Sequence, residues 1–360
     1  MSRPIARADA LALLAPFRAN DWPRLAEAAA TLGEGDRSVA ALVRAFALAA
    51  MAPADARRLQ ALDRARAGLP ALARHGFVLP ILGLDPASLR GIAIALDRLL
   101  TYAAADAFLL EYPKCGRTWL RMMIGRAVAR AGGPALPDPT DLGRIWHLRR
   151  DLPRLEVTHD DDPELKRVED IARDKGIYGH CRVLLQVRDP RDVVVSYFFH
   201  RTTRNHETFP VEPFTGSLAE FVRHPQGGIP NIVAFYNAWA AGRAAPAALL
   251  RVDYEDLVAD PASGLTTALA FLGLPSPDAA GIAATVEECR FERMQALEAA
   301  GAIPGRRLAV ADPDNPESRK VRRGKVGGYR DYLTAGDVAW IDGYLERHLD
   351  PWFGRYVGGR

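Results

Sequence analysis

The feature that most constrains this chain is a strand-like apolar run, Ala107–Tyr112, that breaks at Pro113 and Gly116 and passes straight into a helical pattern at Thr118–Ala131. A short buried run followed at once by a helix is half of a βαβ unit. A chain that repeats it builds a parallel sheet covered by helices. The texture does repeat, with short apolar runs at Arg154–Thr158, Val183–Val187 and Ala248–Val252. Helical patterns alternate with them at Arg191–Arg201, Leu218–Val222, Asn231–Ala241 and Gly264–Leu272. The expected fold is α/β, a mainly parallel sheet flanked by helices. Ligands of such sheets sit beyond the carboxyl ends of the strands, so the chemistry is sought in the segments that follow each run.

Residues 1–100 read as helix after helix, with apolar residues at three- and four-residue spacing through Leu11–Phe17, Leu25–Leu32, Val39–Ala50 and Leu59–Leu72. Gly33, Pro53, Gly68 and the turn at 83–86 punctuate them. The expected organisation is an N-terminal all-helical extension or cap over residues 1–100 and an α/β domain over residues 101–360. An acceptor- or partner-binding module is the sharper alternative, and nothing in the segment distinguishes the two.

A net charge of +3, from 47 basic and 44 acidic residues, is too small to argue for a nucleic-acid partner. The cysteines Cys115, Cys181 and Cys289 are odd in number and without CxxC spacing, so no disulfide framework or zinc site is expected. The N-terminus carries acid early and lacks a small-residue cleavage site, and no apolar run reaches the length of a membrane span. The expected compartment is the cytoplasm.

Four segments carry chemistry. In the first, Pro113, Lys114, Cys115, Gly116, Arg117 and Thr118 join strand to helix. A glycine turn at a helix N-terminus presents backbone N–H groups to an anion, and Lys114 and the Thr118 hydroxyl can complete the site. The loop is P-loop-like without being a Walker loop, because Gly-Lys-Ser/Thr is absent. By itself it is also an ordinary α/β turn that contains a lysine. In the second, a strand ends at Arg188, Asp189 reads as an N-cap, and Pro190 as the first helical residue. Ser196 then falls two turns along, where it and Arg188 can converge on one anion. The third is the basic stretch Arg322, Arg323 and Gly324, able to offer guanidinium forks and a bare amide. The fourth is His159, which ends the run at 154–158 just before Asp160, Asp161 and Asp162. That acidic run is a solvated loop, a cation site, or a means of orienting His159.

Taken together these strings resemble the PAPS-dependent sulfotransferases (PAPS, 3'-phosphoadenosine-5'-phosphosulfate). Tyr112 to Trp119 resembles the family's 5'-phosphosulfate loop, Tyr-Pro-Lys-Ser-Gly-Thr-Thr-Trp, with Cys115 for serine and Arg117 for threonine. Arg117 either sets a second cation beside the phosphate or points to solvent. Arg188 to Ser196 is similar to the arginine and serine segment that holds the 3'-phosphate, and Val321 to Tyr329 to the loop that closes over it, with Gly328 and Tyr329 for Asp-Trp. The segment Pro153–His159 resembles the family's Pro-Arg-x-x-Lys-Thr-His, with Val157 where lysine is usual. Tyr254 to Leu257 and Phe291 to Met294 match two shorter family elements.

The resemblance implies sulfuryl transfer from PAPS to a hydroxyl or amine of a small-molecule or glycan acceptor, leaving 3',5'-ADP. His159 is then the general base and Lys114 stabilises the leaving phosphate. The implied donor site is Lys114, Cys115, Gly116, Arg117, Thr118, Trp119, Arg188, Ser196, Tyr254, Arg322, Arg323 and Gly324, with Trp119 and Tyr254 flanking the adenine and no metal. Thr202–Pro210 is expected to form a lid. The family's C-terminal dimer element is not evident, so no oligomeric state is implied. Two alternatives are a kinase-like phosphotransferase, for which Gly-Lys-Ser/Thr and a magnesium carboxylate are missing, and an inactive nucleotide binder, which would be favoured by loss of Lys114 or His159.

Overall fold

The computed structural model describes residues 5–32, 37–51, 64, 89–204, 213–304, 308, 312 and 314–358. All of the expected helix at 59–72 except residue 64, and most of the expected lid at 202–210, lie outside the described residues. Two compact units emerge: Met1–Asp106 with Ala172–Cys181 and Gly242–Ala247, and the remaining segments, which hold the sheet.

The first unit contains α1 (Arg7–Arg18), α2 (Trp22–Ala30), α3 (Arg37–Met51) and α4 (Leu89–Ala104). Leu13, Leu25, Val43, Phe46, Leu96 and Leu99 are buried, the spacing that an apolar helix face requires. Arg18 on α1 donates to Asp97 on α4 at 2.9 Å. The expected boundary fell at about residue 100. The first stretch of the helical unit runs to Asp106, and the chain re-enters that unit at Ala172–Cys181 and Gly242–Ala247.

The second unit is built on β1 (Ala107–Glu111), β2 (Leu155–Thr158), β3 (Arg182–Val187) and β4 (Ala248–Asp253). All pair in parallel, in the order β2-β1-β3-β4. The central strands β1 and β3 are buried almost throughout, as parallel strands covered on both faces must be. The helices are α5 (Arg117–Arg130), α6 (Arg144–Leu148), α7 (Pro190–Thr203), α8 (Leu218–Arg223), α9 (Ile229–Gly242), α10 (Tyr254–Ala259), α11 (Pro261–Leu272), α12 (Ala279–Glu288), α13 (Phe291–Ala299) and α14 (Ala335–His348). Leu109, Leu120, Leu184 and Leu269 belong to one core cluster between sheet and helices.

Each expected strand lies within a residue of the observed one, and Asp189 caps α7 by accepting from the Arg191 N–H at 2.9 Å. The pattern reading leaves the region after Leu272 without elements, yet α12, α13 and α14 form there. Each buries only two or three side chains, among them the polar Thr285, Glu298 and Asp337, so the apolar period is weak there. Among the described residues no helix is long and apolar enough to cross a membrane.

Candidate active site

The sheet order determines what can meet. β2 lies beside β1, with Thr158 opposite Leu110, so His159 emerges next to the loop that follows Glu111. β3 flanks β1 on the other side, with Gln186 opposite Glu111, so Arg188 emerges across the same loop. A cavity of about 610 Å³ opens there, lined by Lys114, Gly116, Arg117, Thr118, Trp119, His159, Arg188, Ser196, Tyr254, Arg322, Arg323 and Gly324. Cys115 is not on its wall. That side chain is wholly buried, with Sγ 3.7 Å from the Tyr236 hydroxyl, so only the backbone of Cys115 is available to a ligand.

The loop is tightly wound. Lys114 has φ +77° and Gly116 φ +101°, a region that costs most residues about 1–3 kcal/mol. A Cβ on Gly116 would stand 2.6 Å from Tyr254 Cδ2, so only glycine lets the aromatic ring close against the loop. The amide of Arg117 donates to Glu111 Oε2 at 2.8 Å and is therefore taken. Trp119 and Tyr254 meet edge to face, their centroids 6.2 Å apart.

The Arg117 side chain turns inward rather than to solvent. Its guanidinium lies 2.5 Å from His159 Nε2 and 3.4 Å from Glu111 Oε1. A guanidinium only donates, so Nε2 accepts and carries no proton. Nδ1 then holds the proton and donates to the Glu111 carbonyl at 3.2 Å. Burial first, and the Arg117 charge second, hold His159 well below the usual histidine range. Burial pushes Glu111 up to about 7 against the pull of Arg117 and Lys114. Lys114 is lowered to about 7, by burial and then by the neighbouring Lys320.

Arg188 ties three segments together. Its guanidinium donates to the carbonyls of Lys114 at 3.3 Å and Lys325 at 3.1 Å, and pairs with Asp192 at 3.3 Å. It also lies over the Tyr254 ring, 4.5 Å from the centroid. Its Nε is buried without a partner among the described residues, a donor left over for a ligand. Asp192, in the first turn of α7, accepts from Gly327 N at 2.8 Å and Tyr329 N at 2.9 Å. It thereby clasps the C-terminal basic loop to α7. In that loop a Cβ on Gly324 would meet Phe291 Cδ2 at 2.4 Å. Arg322 is held by Glu317 at 2.8 Å and by the Tyr332 hydroxyl at 2.7 Å, while Arg323 is about half exposed, at 47%.

The acidic run after His159 is a tight turn, Asp160, Asp161 and Asp162 having φ of +60°, +69° and +50°. Asp160 accepts from Trp239 Nε1 at 2.9 Å and Asp161 pairs with Lys166, so both carboxylates serve the turn rather than His159. Among the cavity residues that sequence reasoning missed are Glu111, Glu164 and Lys320. Glu111 was detectable as a carboxylate ending an otherwise apolar strand. Glu164, pushed up to about 8 by burial and then by Asp162, and Lys320 carry no local signal.

Residues 104–353 match the sulfotransferase domain family. The chain belongs to that family. As a sulfotransferase it is a PAPS-dependent enzyme of sulfuryl transfer. Cytosolic sulfotransferase 17 of Arabidopsis thaliana is 26% identical over 256 residues, 67% of this chain and 73% of that protein. Flavonol 3-sulfotransferase of Flaveria bidentis is 24% identical over 266 residues, 68% of this chain and 81% of that one. The crystal structure of mouse sulfotransferase SULT7A1 complexed with PAP aligns over 68% of this chain and 84% of that one, at 22% identity and a TM-score of 0.45. The sulfotransferase match takes in the loop at 113–118, His159, Arg188 and the basic loop at 322–324 within one continuous stretch.

Proposed function

We propose that this sulfotransferase transfers the sulfuryl group of PAPS to a hydroxyl or amine of a small-molecule or glycan acceptor, with His159 as general base and Lys114 as the cation on the leaving phosphate. The observation that carries the reading is that Lys114, His159, Arg188, Ser196 and Gly324, far apart in the chain, line one cavity. The bare Nε of Arg188 and the ring-closed turn at Gly116 suit a phosphate donor. PAPS, when bound, supplies an activated sulfuryl group. Arg188, Ser196, Arg322, Arg323 and Gly324 hold its 3'-phosphate, and Trp119 and Tyr254 flank the base. The loop around Lys114 to Thr118 holds the 5' end, through the side chain of Lys114 and the amides of Gly116 and Thr118, because Glu111 takes the amide of Arg117.

For His159 the requirement is a free Nε2 aimed into the cavity. Nδ1 is fixed by the Glu111 carbonyl, which selects the tautomer a general base needs; such a base contributes typically about 10²–10⁴ in rate. Arg117 has to release Nε2 before that nitrogen can take a proton. The same bond favours a second reading, a nucleotide binder without turnover.

The proposal includes a cytoplasmic setting, the one the name of the Arabidopsis thaliana relative gives for it, and a domain division near residue 100 with the helices as an extension. Thermal shift with 3',5'-ADP, 5'-AMP and Mg-ATP tests the donor site, since a ligand at 100 times its Kd stabilises by about 2.7 kcal/mol. Selective stabilisation by 3',5'-ADP is expected, and selective stabilisation by Mg-ATP would overturn it. Release of 3',5'-ADP from PAPS, stimulated by members of a panel of phenols, alcohols and amines and lost in His159→Ala with nucleotide binding intact, separates enzyme from binder.

A further inference from the structure

The cavity has a cation that no motif accounts for. Every arginine on its wall, and Lys325, has a carboxylate within 3.5 Å. Lys114 and Lys320 line the same wall, and among the described residues neither ammonium forms an ion pair. Lys114 already has a part, on the leaving phosphate. Lys320 has none.

Its placement is built rather than incidental. The Lys320 amide donates to Glu298 Oε1 at 2.6 Å and the Val321 amide to Glu298 Oε2 at 2.8 Å. Glu298, on α13, is 1% exposed, so a buried carboxylate fixes the backbone while the side chain is left to the cavity. Lys320 lines one cavity with Lys114, Glu111 and His159, and its charge lowers all three. Burial, then Arg204, Arg117 and Arg121, lower it to about 8 against the pull of Glu111. A desolvated ammonium among guanidinium groups is a site short of an anion. Val157, where the family resemblance led to expect a lysine, packs against the apolar core and supplies no charge.

We propose that Lys320 binds the sulfuryl oxygens of the donor through the transfer, the role that Val157 leaves open. The inference rests on the PAPS reading above. In the step, the acceptor oxygen forms its bond to sulfur as the bond from sulfur to the phosphate oxygen breaks. The electron pair leaves on 3',5'-ADP, the acceptor proton passes to His159 Nε2, and Lys320 stays charged throughout.

The test needs no acceptor. PAPS and 3',5'-ADP, which differ by the sulfuryl group, are titrated calorimetrically into the wild-type protein, Lys320→Met and Lys320→Arg at pH 7. A lost charge-assisted contact predicts PAPS binding weakened about tenfold or more in Lys320→Met, 3',5'-ADP within twofold of wild type, and most of the PAPS affinity restored in Lys320→Arg. Equal loss of both ligands, or PAPS affinity unchanged, overturns the inference. Failure of wild-type protein to bind 3',5'-ADP overturns the donor reading itself, and the two failures are distinguishable. If Lys320→Met does not fold, Lys320→Gln carries the same comparison.

Discussion

Asp192→Asn probes the clasp that holds the C-terminal basic loop over the cavity. The Asp192 side chain is 2% exposed, pairs with Arg188 at 3.3 Å, and accepts the amides of Gly327 and Tyr329 at 2.8 and 2.9 Å. Asparagine keeps the shape but offers a single acceptor oxygen. One backbone N–H then faces an NH₂, and Arg188 loses its counter-charge. A charge-assisted hydrogen bond contributes about 1.5–3 kcal/mol, and removing one partner of a buried pair costs about 3–5 kcal/mol. The two overlap and do not add, so about 3–5 kcal/mol is expected. At roughly 2–4 °C per kcal/mol for a domain of this size, the transition stabilised by 3',5'-ADP should fall by roughly 6–20 °C. Differential scanning fluorimetry measures it, and calorimetry should show weaker 3',5'-ADP binding alongside. Asp331→Asn is the control: its carboxylate pairs with Lys325 at 2.9 Å in the same loop but is exposed, and such pairs contribute little. Wild-type melting and wild-type nucleotide affinity in Asp192→Asn would refute the clasp.

Two further outcomes concern charge. Arg117→Thr removes a cation that lowers His159 and admits water to a desolvated ring, both of which raise the histidine. The acid limb of kcat/KM should therefore move to higher pH, and an unmoved limb would detach Arg117 from the base. Lys114 and Lys320 are lowered in the free protein to about 7 and about 8, and an anionic ligand binds their charged forms. Affinity for 3',5'-ADP should be highest below about 7 and fall as pH rises through the Lys114 value, while affinity for PAPS should fall through both values, with net proton uptake on binding. A Kd that stays flat from pH 6.5 to 9 would contradict the desolvated-lysine picture.

Local pattern determined much of this protein. Period and punctuation delimit each strand to within a residue, because a short apolar run ending at glycine, proline or a capping residue leaves the backbone few alternatives. The same logic gives the Asp189 cap, the glycine turn at 116 and the candidate residues beyond each strand. The resemblance to the sulfotransferases was legible for the same reason, since phosphate loops are contiguous in the chain. What only the tertiary structure decided lies between segments. The order β2-β1-β3-β4 sets His159 and Arg188 on either side of one loop. The bond from Arg117 to His159 spans 42 residues, and the Asp192 clasp 135 and 137. Lys320 lines the cavity with its amide held by Glu298, 22 residues away. No periodicity encodes such pairs, because each depends on two backbones brought together by the burial of a shared core, and that burial specifies position without specifying which polar atoms will meet.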